Sequence, residues 1–181
     1  MSEESKKEDK IAETPEEQVS RTAHKLSMDG ETIFYEATTG TLLLREEDEK
    51  EGHKAKASVF YTYYRKLENN GEIRPITYCF NGGPGSSSVW LHLGLFGPRR
   101  VVMDDEGMAL PPPHKLVENK YSLLDVTDLV FIDPVSTGYS RAVPGEKADQ
   151  YHEFKKDIAS LADFIRLFTC LLYTSPSPRD S

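Results

Sequence analysis

The chain has 181 residues, enough for one domain of ordinary size, and its 30 Asp and Glu against 22 Lys and Arg give a formal charge of −8. That balance shows no basic face, so neither nucleic acid nor an anionic membrane surface is expected as a partner. There is no run of about 18 apolar residues to make a membrane span, and two cysteines are too few for a disulfide framework.

Residues 1 to 20 are dense in charge, poor in aromatics and broken by Pro15, the composition of a disordered leader. Ser2 to Lys10 contains no apolar stretch, so no signal peptide is read there. His24 to Met28 and Thr32 to Ala37 flank Asp29-Gly30, which predicts a tight hairpin. Gly40 is expected to separate that return strand from Leu42-Leu43-Leu44, and Glu46 to Glu51 to be a solvated loop. Ala57 to Tyr64 reads as the next strand, its aromatics Phe60, Tyr61, Tyr63 and Tyr64 serving sheet packing. Asn69-Asn70-Gly71 turns the chain into Ile76 to Phe80, an alternating strand that contains Cys79, read as a buried thiol.

Beyond Asn81 to Ser88, Val89 to Phe96 reads as a short apolar helix stopped by Gly97-Pro98. A strand is expected over Arg99 to Met103, and Pro111 to Pro113 marks an exposed loop. The compact run Asp128 to Asp133 has the profile of a buried parallel strand. Tyr151, Phe154, Ile158, Leu161, Ala162, Ile165 and Phe168 recur at spacings of three and four, which predicts an amphipathic helix over 151–168. From Cys170 to Ser181 the composition turns abruptly to serine and proline, in the manner of translated vector sequence. That segment is expected to be a non-native tail, leaving residues 21–169 as the folded part. Antiparallel strands followed by strand–loop–helix units imply an α/β sandwich with a mixed sheet.

The chemistry is expected at Asn81-Gly82-Gly83-Pro84-Gly85-Ser86-Ser87-Ser88, where an apolar strand breaks into a loop. Three glycines in four positions allow close backbone approach, and Pro84 restricts both itself and Gly83. Such a loop can aim bare N–H groups at an anion, including an oxyanion that develops during acyl transfer. It could instead cradle a phosphate, although neither Gly-Lys-Ser/Thr nor Gly-x-Gly-x-x-Gly is present, or be only a tight structural turn. The five histidines show no metal-ligand spacing, and His92 reads as a packed residue. Asp133, at a strand's carboxyl end, either faces the cleft or caps the following turn.

Phe80 to Ser88, then Gly97-Pro98, Tyr121-Ser122-Leu123-Leu124 and Phe131-Ile132-Asp133-Pro134-Val135-Ser136-Thr137-Gly138-Tyr139-Ser140, together resemble the serine carboxypeptidases. The resemblance, over roughly residues 55 to 168, implies the N-terminal part of an α/β-hydrolase fold and cleavage of C-terminal peptide bonds through an acyl-enzyme. It implies half an oxyanion hole in the Gly82-Gly83 loop, with the Gly83 N–H as donor and Asn81 holding the substrate's terminal carboxylate. Peptide or protein C-termini are the implied partners and no cofactor or metal is implied; members of the family are often secreted or vacuolar.

Ser86 stands where the family usually has cysteine, Leu95 where many members have glutamate, and Ser136 where glycine is usual. These departures leave strict carboxypeptidase specificity less constrained than hydrolase ancestry. No Gly-x-Ser-x-Gly nucleophile elbow occurs, Gly138-Tyr139-Ser140-Arg141-Ala142 being a near miss. The family's elbow follows the helix at 151–168, so the chain is expected to be an inactive N-terminal fragment lacking nucleophile, acid and base. The competing expectation is a hydrolase-fold binding protein without catalysis.

Overall fold

A computed structural model describes residues 15–48, 52–67, 73–82 and 85–174. Among them one mixed sheet has the order β1-β2-β3-β7-β4, with a short β8 paired to β3. The strands are β1 Val19–Met28, β2 Glu31–Asp48, β3 Gly52–Lys66, β4 Ile76–Cys79, β7 Asp128–Ile132 and β8 Arg141–Ala142. A separate ribbon pairs β5 Arg99–Val101 with β6 Leu116–Glu118. The π-helical turn Trp90–Phe96, the 3₁₀ turns Leu123–Asp125 and Ala148–His152, and helix α1 Phe154–Thr174 complete the set.

Asp29 and Gly30 make the predicted hairpin, at φ of +50° and +84°. These left-handed values are those of a type I′ turn, whose twist matches that of the flanking strands. The hairpin is longer than expected. β1 begins at Val19, inside the stretch expected to be leader, where Gln18 N donates to Thr41 Oγ1 and Leu43 N to Glu17 Oε1. Gly40 does not separate two strands, because β2 runs through it without a break. A Cβ there would lie 2.5 Å from Gln18 O and 3.2 Å from Tyr61 Oη, so the glycine serves the close approach of backbones. Glu46, Glu47 and Asp48, expected in a loop, pair with Lys54, His53 and Gly52 as the far end of β2 and β3. The expected turn at Asn69-Asn70-Gly71 lies outside the described residues.

β7 is buried at every position, as its unbroken apolar run requires, and it is parallel to β4 and antiparallel to β3. Its leading acid, Asp128, is 5% exposed and carries a full complement of partners. Arg74 Nε donates to it at 2.9 Å, Lys66 N at 3.2 Å and Tyr63 Oη at 3.3 Å, while the same guanidinium also holds Leu124 O and Asp125 O. A buried charge requires pairing of this kind. The two sheet faces bury different partners. On one, Val59, Tyr61, Tyr63, Val130 and Ile132 pack against Leu161, Phe164 and Phe168 of α1. On the other, Leu26, Tyr35, Leu129 and Phe131 pack against Leu124 and, at its margin, Leu91 and Phe96 of the π turn. The result is an α/β sandwich.

The predicted helix is present but shifted. Tyr151 sits in the preceding 3₁₀ turn, and α1 runs on to Thr174, with Leu172 packed against the core. The strand expected over Arg99 to Met103 stops at Val101, and Met103 only bridges to Ala109. No helix among the described residues is long and apolar enough to cross a membrane.

Candidate active site

The glycine loop leaves the carboxyl end of β4, next to the carboxyl end of β7, the edge at which open parallel sheets bind ligands. Asn81 is half-buried, its amide nitrogen 3.4 Å from Ser86 Oγ, and Gly82 is exposed. Gly83, the expected oxyanion donor, and Pro84 lie outside the described residues. The loop re-enters the fold at Ser88, which is 2% exposed. Its hydroxyl donates to Ile132 O on β7, its carbonyl accepts from His92 N at 2.8 Å, and its own N–H donates to Asp133 Oδ1 at 3.0 Å. One serine thus joins the loop, the π turn and the end of β7.

Asp133 completes that joint. Its second oxygen accepts from Tyr139 N at 3.2 Å, so the carboxylate bridges the glycine loop and the 134–140 turn. Of the two sequence expectations for this residue, the turn cap is the one realised. A side chain at Gly138, where φ is +46°, would place its Cβ 1.8 Å from Asp133 Oδ2, so this turn closes over the carboxylate only with glycine. Ser140, the near-miss nucleophile, is fully buried. Its hydroxyl donates to Asp133 O at 2.6 Å and accepts from Phe60 N at 2.8 Å. A hydroxyl so buried and doubly bonded is a structural tie. Ser136 holds a left-handed backbone at φ +72°, and its buried Oγ has no hydrogen-bond partner. A β-carbon at positive φ is disfavoured, so this position suits the glycine that the resemblance leads one to expect there.

His92 shares a 2.7 Å hydrogen bond with Tyr64 Oη and stacks on Phe131, ring centroids 4.6 Å apart. Burial pushes its pKa down to about 4, only partly opposed by the nearby Asp133 carboxylate, so the ring is neutral through most of the working pH range. Burial likewise raises the Tyr64 phenol. His92 is a packed residue, as its sequence context implies. Cys79, one residue from the loop, is a buried thiol whose pKa burial lifts to about 11, well away from the reactive thiolate range.

The sequence singled out Asn81 to Gly83 but not the Ser88–Asp133 clamp where the chain re-enters the fold. Ser88 sits in a run of three serines with no burial pattern, so nothing local marks it as the buried one. The acid closing β7 was the available signal for Asp133. Among the described residues, the arrangement presents the half-buried Asn81 amide at the sheet's carboxyl edge, beside the Ser88–Asp133 clamp. That can orient a carbonyl or carboxylate; no serine–histidine pair that could attack one occurs among the described residues.

A family model described as serine carboxypeptidase matches residues 48–173. The pheromone-processing carboxypeptidase KEX1 of Saccharomyces cerevisiae is 36% identical over 103 residues, which is 56% of this chain and 13% of that protein. Serine carboxypeptidase-like 7 of Arabidopsis thaliana is 34% identical over 107 residues, 59% of this chain and 22% of that protein. Among solved structures, that of KEX1(delta)p, a prohormone-processing carboxypeptidase from S. cerevisiae, superposes with a TM-score of 0.53 at 27% identity. It covers 77% of this chain and 28% of that one. The chain therefore spans well under a third of each of these relatives.

Proposed function

Because the chain belongs to the serine carboxypeptidase family, we propose that it forms the oxyanion-binding side of a serine-type peptidase acting on peptide C-termini, with the nucleophile on polypeptide outside these 181 residues. In this reading the Gly83 N–H donates to the carbonyl oxygen as it gains charge, and Gly82 leaves room for that approach. The Asn81 amide donates to the terminal carboxylate. A serine attacks the scissile carbonyl, the amine leaves, and water releases the acyl group.

The observation that carries the proposal is the open edge of β4 beside the loop. The connection from β4 to β7 passes over the face of the π turn, and α1 then lies on the opposite face. A second crossover keeps the same right hand only if it moves back past β4. α1 takes that course, since Thr169 near its end shares a 2.6 Å hydrogen bond with Tyr78 of β4. The next parallel strand would then lie beside β4 and end near Asn81, the position from which a strand-to-helix elbow can present a serine to the loop.

With Leu95, 54% exposed, where many relatives have glutamate, recognition of the carboxylate rests on a neutral amide. A single such hydrogen bond contributes about 1–1.5 kcal/mol, roughly tenfold in affinity. The test is release of the C-terminal residue from an N-blocked dipeptide by the chain extended with its downstream coding sequence. The free acid is expected to be cleaved about tenfold more efficiently than the corresponding amide, and Asn81→Ala to abolish that preference. Absence of cleavage, with the fold intact, would favour a hydrolase-fold binding protein instead.

A further inference from the structure

A cluster of two cations and an exposed aromatic ring lies on the β5–β6 ribbon and the turn that follows it. The register sets Arg99 opposite Glu118 and Arg100 opposite Val117, so the two arginines occupy opposite sides of the ribbon. The Arg99 side meets the main sheet: Arg99 pairs with Glu118, whose other oxygen accepts from Ser27 N of β1. Arg100 is therefore on the outer side. There its guanidinium stands 5.7 Å from the centre of the Tyr121 ring, and the Lys120 ammonium 5.0 Å from the same centre. Tyr121 is 63% exposed. Among the described residues, the ion pairs of this region join Arg99 to Glu118 and Arg74 to Asp128, and none includes Arg100 or Lys120.

The backbone that carries the ring is anchored. Asn119, 1% exposed, donates from its amide to Leu95 O at 2.7 Å and Gly97 O at 2.8 Å, and its side-chain oxygen accepts from Tyr121 N. On the other flank, Ser122 Oγ donates to Phe96 O at 2.8 Å. Lys120 and Tyr121 are thus a two-residue projection pinned at both ends to the π turn. An exposed aromatic ring with two cations near it is locally complementary to carboxylates attached to an extended backbone, against the overall charge of −8. Arginine offers a planar fork to one carboxylate, lysine a point charge to a second, and the ring a surface for the peptide between them.

We propose that Arg100, Lys120 and Tyr121 form a docking point for an acidic peptide segment, independently of whether the chain takes part in catalysis. The test is fluorescence anisotropy of a labelled alternating Glu-Gly decapeptide titrated with the 181-residue chain, beside a Lys-Gly peptide and an oligothymidylate of matched length. Saturable binding of the acidic peptide alone is expected. It should weaken at least tenfold in Arg100→Gln/Lys120→Gln, about threefold in Tyr121→Ala, and less than twofold in Arg100→Lys/Lys120→Arg, a variant that controls for folding. No saturable binding, binding indifferent to the double glutamine variant, or equal binding of the oligothymidylate would overturn the proposal, the last by making the patch a general polyanion site.

Discussion

Replacing Asp133 by asparagine preserves its size but converts one of two acceptor oxygens into a donor, which then faces either Ser88 N–H or Tyr139 N–H. Leaving one partly buried N–H unsatisfied costs about 1–3 kcal/mol. Asp133→Asn should therefore lower the unfolding free energy by that amount, seen as a lower urea midpoint at constant slope; an unchanged midpoint would mean that the carboxylate is not the clamp. At Ser136 the opposite sign is expected. Glycine removes both the left-handed strain and a buried hydroxyl without a partner, offset by a more flexible unfolded chain. Ser136→Gly should raise stability by about 1 kcal/mol, read as a rise in melting temperature. At this scale the sequence pointed to the loop after β4 but left the role of Asp133 undecided between cleft and cap. Two backbone N–H groups, one of them 45 positions upstream, decide it, and no local pattern reveals a partner so distant.

The elements that could be read were those whose pattern is set by burial. β7 is apolar because both its faces are covered, and α1 shows its apolar stripe because one side lies on the sheet. The ends of β2 and β3 could not be read, since Glu46, Glu47, Lys54 and His53 belong to a ribbon exposed on this side and carry charges that look like a loop. The π turn also carries a titration that propensity cannot show. His92 has a pKa of about 4 in the folded chain against 6.5 as its ordinary value, so the unfolded chain binds the proton more tightly. The stabilisation is complete above about pH 6.5 and is lost as pH falls towards 4, by up to about 3 kcal/mol. Urea unfolding at pH 7 and pH 4.5 should show this decline, and His92→Gln should remove that component. An equal decline in the variant would assign it to other groups.

For the molecule as a whole, the sandwich, the mixed sheet and the family could all be read from ordered motifs, because each motif lies at a place where the backbone must turn or approach closely. The direction in which the sheet continues could not. It follows from strand order, from the two faces used by successive crossovers, and from the Tyr78–Thr169 contact at the open edge of β4. The groove along that edge, about 430 Å³ and lined by Ile73, Arg74, Pro75, Ile76, Tyr78 and Thr169, lies where a neighbouring strand would pack. In the proposed function this chain supplies the oxyanion loop while the attacking serine comes from beyond it. Labelling with a fluorophosphonate, followed by peptide mapping, tests it most directly. The 181-residue chain should remain unlabelled, and the chain extended with its downstream sequence should carry one adduct, on a serine after α1. An adduct on Ser140, Ser88 or any other serine of the 181 would contradict the account, as would a folded, extended chain that takes no label.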